Sequence, residues 1–214
     1  VILHGLFGML DNWHGLAKEF GQFFEVHILD QRNHGKSFHS QQHSYELMCS
    51  DLLAYLDANN LDEVLLLGHS MGGKTAMLFA AMYPQRVEKL IVVDIAPKYY
   101  PPHHQEIIAG LLAVENAEIK SRNEADVILA RYFSQLGIRQ FLLKNLYWKT
   151  KEELCFKFNL NTLSKEIENV GVALFDAALF NNPTLFIKGE KSNYILKEDS
   201  SLIETHFPDA EIVE

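Results

Sequence analysis

Gly68-His69-Ser70-Met71-Gly72 sets a serine between two glycines, and its surroundings decide what that hydroxyl could do. Val64-Leu65-Leu66-Leu67 before it reads as a buried strand, and Lys74-Thr75-Ala76-Met77 after it opens a helix. A serine on a sharp turn from strand to helix stands exposed above a sheet, backed by the free N–H groups and positive dipole end of the helix. Glycines flank it because a strained turn leaves no room for neighbouring side chains. The chemistry indicated is nucleophilic attack by Ser70. The competing reading of the five residues alone is an ordinary glycine-rich βα turn, and the correctly placed strand and helix favour the nucleophile.

A second segment fits the same chemistry. His4-Gly5-Leu6-Phe7-Gly8 follows the first apolar run, where a loop can offer a backbone donor to a developing oxyanion. The Leu6 N–H is expected to face Ser70 beside the Met71 N–H, which leaves the Leu6 and Met71 side chains free to line a pocket. The alternative is a glycine-containing loop that merely turns.

The elements that must position these residues alternate short apolar runs with helix-length amphipathic stretches, as in a parallel sheet covered by helices on both faces. Strands are expected at residues 1–3, 25–30, 63–68, 89–94, 183–189 and 210–214, and most are near-continuous Val/Ile/Leu runs. Residues 44–59 place Tyr45, Met48, Cys49, Leu52, Leu53 and Leu56 on one helical face, with Ser44 as N-cap. Residues 72–83 carry Ala76, Ala80 and Ala81, small enough for a helix to approach the sheet closely. From residue 95 the strand rhythm gives way to successive helical patterns. The organisation expected is an α/β core in two parts, residues 1–94 and 169–214, interrupted by an all-helical cap at 95–168 that packs on the sheet.

His4-Gly5-Leu6-Phe7-Gly8, Asp30-Gln31-Arg32-Asn33-His34-Gly35-Lys36-Ser37, Gly68-His69-Ser70-Met71-Gly72-Gly73-Lys74 and Asp94-Ile95-Ala96-Pro97 resemble the α/β-hydrolase superfamily, and within it the small bacterial esterases of the YbfF type. The resemblance spans nearly the whole chain and keeps the motif order. It implies the α/β-hydrolase fold with a mostly parallel central sheet, a helical cap over the site, and hydrolysis of carboxylic esters or thioesters.

Most members of that superfamily carry the triad acid after the penultimate strand, in a Gly-x-x-Asp setting. Here the stretch reads Gly189-Glu190-Lys191-Ser192-Asn193-Tyr194, without aspartate, and Glu190 is better read as a solvated or structural charge. Asp94, at the end of the strand after the serine's helix, is the candidate acid. Neighbouring strands lie roughly 4.8 Å apart, so its carboxylate can reach a histidine that also touches Ser70. The YbfF-type resemblance puts the acid there as well. The alternative is a strand-end aspartate capping the turn beside Pro97.

The order serine, acid, histidine places the base after the last strand, and the chain given stops at Glu214, so the catalytic histidine is expected beyond it. A start inside an apparent strand, without Met, likewise suggests residues before Val1. The ten histidines within the chain read otherwise. His206 precedes the final strand, His69 is expected to point away from the serine into packing, His4 and His34 to make structural hydrogen bonds, and His103 and His104 to begin the insertion near the pocket mouth.

Composition narrows the partners. The 214 residues are 48% hydrophobic and carry a formal charge of −9, with no basic run to neutralise phosphates, so nucleic acid is not expected. No apolar run approaches the roughly 20 residues that span a bilayer. Cys49 and Cys155 fall in no metal-binding cluster, and a cytoplasmic protein is the expectation. No metal or organic cofactor is required. Phe7, Tyr99, Tyr100, Phe133, Phe141 and Trp148 are candidates to line a pocket for a small-molecule ester or thioester, although aromatics at helical spacing more often form core. The rival functions are a C–C hydrolase or cofactor-free lyase on the same scaffold, and a binding protein that kept the fold without catalysis.

Overall fold

Val/Ile/Leu runs form strands that are covered on both faces, and the amphipathic stretches between them supply the cover. The computed structural model describes residues 1–214. In chain order the elements are β1 (Ile2–Leu3), α1 (His14–Phe20), β2 (Ile28–Leu29), α2 (Tyr45–Ala58), β3 (Val64–His69), α3 (Met71–Met82), β4 (Val87–Val93), α4 (Gln105–Glu115), α5 (Arg122–Leu129), α6 (Leu136–Leu143), β5 (Leu146–Trp148), β6 (Leu154–Phe156), α7 (Leu160–Lys165), α8 (Ile167–Val170), β7 (Thr184–Ile187), α9 (Ser200–His206) and β8 (Ala210–Val213).

Six strands form one sheet in the order β2-β1-β3-β4-β7-β8, every neighbouring pair parallel. Each expected strand position is occupied. Leu3 pairs with Gly68, His69 with Val93, and Val93 with Ile187, so the carboxyl ends of β1, β3, β4 and β7 finish along one edge.

The helix that follows β3 is held against this edge by the absence of side chains. Met71 through Ala80 of α3 are all buried. A Cβ on Gly72 would sit 2.4 Å from the Leu3 carbonyl oxygen and 2.6 Å from that of His4, inside van der Waals contact with backbone that cannot move aside. Beside it, α2 begins as its sequence indicates. The Ser44 hydroxyl accepts from the Leu47 N–H, and Tyr45, Met48, Cys49, Leu52 and Leu56 turn inward.

The insertion between β4 and β7 departs from the all-helical expectation. β5 and β6 make an antiparallel hairpin with Leu146 opposite Phe156 and Trp148 opposite Leu154, closed by a Lys149–Glu153 ion pair. Strands of three residues are too short to leave an alternation that can be told from helix. The insertion sits on the core through polar ties, the Asn159 N–H donating to Asn33 O at 2.8 Å and the Thr162 hydroxyl to Ser40 O at 2.8 Å. At its base the outgoing and returning segments pair, Tyr100 N–H to Gly171 O and Leu174 N–H to Pro97 O, both 2.8 Å. No helix is long and apolar enough to cross a membrane.

Gly72→Ala is expected to cost about 3 kcal/mol in urea unfolding, because the added methyl must push α3 off β1, whereas Ser44→Ala should cost about 1 kcal/mol through the lost cap. Similar costs for the two would show that α3 is not packed this tightly.

Candidate active site

Two residues lie one step past the aligned strand ends. The Ser70 N–H donates to Val93 O at 3.0 Å and the Asp94 N–H to Ile187 O at 2.8 Å, so the turn after β3 is hydrogen-bonded to β4 and the turn after β4 to β7. Both carry left-handed φ, 52° at Ser70 and 55° at Asp94. For non-glycine residues such backbone costs of order 1–3 kcal/mol and persists only where the surroundings impose it. Ser70 is the N-cap of α3 but its side chain caps nothing, and its carbonyl accepts from the Lys74 N–H at 3.0 Å.

The loop after β1 closes over this point. Gly5 passes so near that a Cβ there would meet His69 Nδ1 at 2.9 Å and Ser70 Cβ at 3.3 Å. Neither the Leu6 N–H nor the Met71 N–H is hydrogen-bonded within the chain, although both residues are buried. Buried N–H groups are nearly always paired, so two unpaired ones flanking a strained serine form a local site of positive potential suited to an oxyanion.

Asp94 accepts a hydrogen bond from the Gly189 N–H at 3.2 Å, which ties the carboxylate to the loop after β7. That loop offers no aspartate, and Glu190 within it is exposed. The charge of Asp94 reaches His69, whose imidazole is pushed below its usual range by burial while Asp94 opposes the shift. His69 does not turn into packing as expected. It lines a cavity with Ser70, its ring 6.2 Å from that of Trp13, because Gly5 leaves the space it occupies.

The other histidines divide by environment. His4 Nδ1 lies 2.8 Å from Gly5 O while its Nε2 accepts from the Gln31 N–H, and His206 Nδ1 lies 2.7 Å from Ala178 O. His103 binds the Tyr194 hydroxyl at 2.6 Å. His104 is at the junction of both cavities that reach Ser70, and burial, reinforced by His103, lowers it to about 4. No histidine of residues 1–214 hydrogen-bonds to the Ser70 hydroxyl or the Asp94 carboxylate.

Ser70 opens onto two spaces. The larger, about 490 Å³, has walls from Trp13, Leu16, Ile107, Ile138, Phe141 and Leu142. The smaller, about 20 Å³, lies among Met71, Tyr100, Ile167, Val170 and Tyr194. Leu6 borders both, Phe7 and Phe141 the larger, and Met71 and Tyr100 the smaller. Tyr99, Phe133 and Trp148 lie elsewhere. Tyr99 and Trp148 are largely exposed, Trp148 on the β5–β6 hairpin, while Phe133 is buried against Gly110 in the interior of the insertion. Trp13 and Leu16 join Ala17 and Phe20 at helical spacing, which marks an apolar face but not the cavity that part of it meets.

Lys74, also bordering the smaller space, is a buried ammonium that donates to the Lys98 and Val172 carbonyls at the base of the insertion and lies 5.1 Å from the Tyr100 ring. Burial, with the charge of Lys98 adding to it, brings its ammonium down to about 7.

Known proteins are similar to this chain over nearly its whole length. A marine microorganism esterase of solved structure superposes with a TM-score of 0.96 at 43% identity, covering 99% of this chain and 84% of that one. Esterase YbfF of Escherichia coli (strain K12) is 34% identical over 211 residues, 98% of this chain and 81% of that protein. The sn-1-specific diacylglycerol lipase ABHD11 of Mus musculus is 40% identical over 220 residues, 99% of this chain and 71% of that protein. Residues 1–113 match the family model of the alpha/beta hydrolase fold, and the chain belongs to that family.

Proposed function

We propose that the chain carries a serine esterase site that hydrolyses carboxylic esters through an acyl-enzyme on Ser70. The observation that carries this reading is the left-handed Ser70 flanked by two unpaired backbone donors, Leu6 and Met71. In the reaction the Ser70 oxygen attacks the ester carbonyl carbon and its proton passes to an imidazole, while the carbonyl oxygen takes the negative charge opposite the two N–H groups. The leaving alcohol takes that proton as its C–O bond breaks, and water then repeats the sequence to release the acid and restore Ser70.

Asp94 is assigned to orient the imidazole and stabilise its charged form. In the chain order serine, acid, histidine, the base follows β8. The insertion, residues 95–168, acts as the cap, and the apolar walls of the larger cavity suit the hydrocarbon arm of an ester. Oxygen esters and acyl-thioesters collapse from the same kind of tetrahedral oxyanion, so both fall within the proposed substrate class. The esterase and lipase names of the relatives support the assignment.

A fluorophosphonate probe is expected to label Ser70 in the full-length protein and not in Ser70→Ala; equal labelling of the two rejects the esterase reading. Asp94→Asn should lower kcat for a p-nitrophenyl ester by roughly 10³–10⁴-fold. Turnover near that of the wild type would move the acid's role to another residue.

A further inference from the structure

Ser70 faces two spaces of very different size, about 20 Å³ and about 490 Å³. A single water needs roughly 10–15 Å³, so the smaller space admits about one or two carbon-sized groups. An ester has two halves flanking its carbonyl carbon, and any half longer than this must lie in the larger space.

The order of bond breaking decides which half goes where. The alcohol departs when its C–O bond breaks, and water must then reach the same carbon while the acyl group is still joined to Ser70. The half that leaves therefore belongs where there is room for its departure and for the incoming water, and the half that stays can fill a space with neither. The smaller space is of the second kind, backed by Tyr45 and Lys74, both buried. Leu6 and Met71, which carry the two unpaired N–H groups, border it together, whereas Met71 does not border the larger one.

The walls of the smaller space are not free to spread. The Val170 carbonyl accepts from the Tyr45 hydroxyl at 2.7 Å, and the Gly171 carbonyl from the Tyr100 N–H at 2.8 Å. Lys74 Nζ donates to the Val172 carbonyl at 2.7 Å and also to that of Lys98. The Tyr100 hydroxyl accepts from the Ala96 N–H at 2.9 Å and donates to the Tyr194 carbonyl. Residues 96–100 and 170–172 are thus pinned beside the space by bonds whose loss would leave polar groups unpaired.

We propose that the smaller space is the acyl site, sized for an acyl group of about two or three carbons, with Tyr100, Ile167 and Val170 setting that limit and the alcohol lying in the larger space. The inference rests on the serine esterase reading and narrows its substrates to short-acyl esters of larger alcohols.

Two ester series on the full-length protein test it. With p-nitrophenol as the fixed alcohol, kcat/KM should fall by at least about 100-fold from acetate to hexanoate, whereas butyl, hexyl and octyl acetates should differ by less than about tenfold. Ile167 and Val170 line the smaller space and not the larger. Ile167→Ala and Val170→Ala should therefore each raise the butyrate-to-acetate ratio of kcat/KM by about tenfold, with no change in the spread of the alkyl acetates. Hexanoate hydrolysed as readily as acetate by the wild type overturns the proposal. So does a gain in either variant that appears in the alcohol series instead of the acyl series, or a pair of folded variants that shifts neither. If circular dichroism shows that the alanine variants do not fold, the two wild-type series decide. Failure of the esterase reading looks different, because the wild type would then hydrolyse no ester of either series and resist the fluorophosphonate probe.

Discussion

Register at one edge of the sheet governs the rest of the molecule. Because β1, β3, β4 and β7 end in step, the next residues along β3 and β4 are Ser70 and Asp94, each with its N–H bonded to the neighbouring strand. A shift of one residue in a parallel pairing would swap the buried and less buried side chains that alternate along β3 and β4, and would part the Ser70 and Asp94 N–H groups from the Val93 and Ile187 carbonyls. The approach of α3 to β1 follows from the same edge. Gly72 lies against the Leu3 and His4 carbonyls, which leaves the turn between β3 and α3 too little length for relaxed backbone, and Ser70 absorbs the difference with a left-handed φ. The strain is thus a product of two well-packed elements meeting, and folding of the core maintains it.

Around this edge the polar groups that cannot reach water are satisfied mainly by backbone. His4 and His34 each set a ring nitrogen on a main-chain carbonyl and accept a main-chain N–H with the other. Asp30 accepts from the Leu10 and Lys36 N–H groups, and Arg32 forks onto Asp51 through Nε and a terminal nitrogen. A neutral imidazole suits this task because it offers one donor and one acceptor without the cost of burying a charge. Against that background the unpaired N–H groups of Leu6 and Met71 stand out, since the surrounding network pairs loop amides wherever a partner can be placed.

How much could be read from the sequence follows from what each feature depends on. The six strands and the turn at Ser70 were legible because two-sided burial demands long apolar runs and the turn demands glycines at fixed offsets. Asp94 was legible once the strand order was, since it needs only the strand beside β3. The β5–β6 hairpin was not, because its three-residue strands carry no period. The position of His69 depends on a loop from a different strand leaving a gap at Gly5. Likewise, periodicity marks Tyr99, Phe133 and Trp148 as apolar positions of an insertion but cannot say which neighbour each one meets, and only the packed insertion separates them from Phe141 and Tyr100.

The insertion and core also depend on each other through buried polar contacts. Lys74, on the helix that begins at the turn of Ser70, donates to the Lys98 and Val172 carbonyls, one on each segment at the insertion's base. A buried ammonium held by carbonyl dipoles and an aromatic face, with no carboxylate, is costly to keep charged, so burial, with the charge of Lys98 adding to it, brings it down to about 7. Tyr100 adds to the same knot, its hydroxyl accepting from the Ala96 N–H and donating to Tyr194 O. With its base tied to α3 in this way, the insertion shapes the larger cavity through its outer helices, Ile107 on α4 and Ile138, Phe141 and Leu142 on α6. The walls of the larger cavity and the helix that carries Ser70 at its start therefore belong to one continuously packed body, in which the insertion takes part in shaping the space beside Ser70.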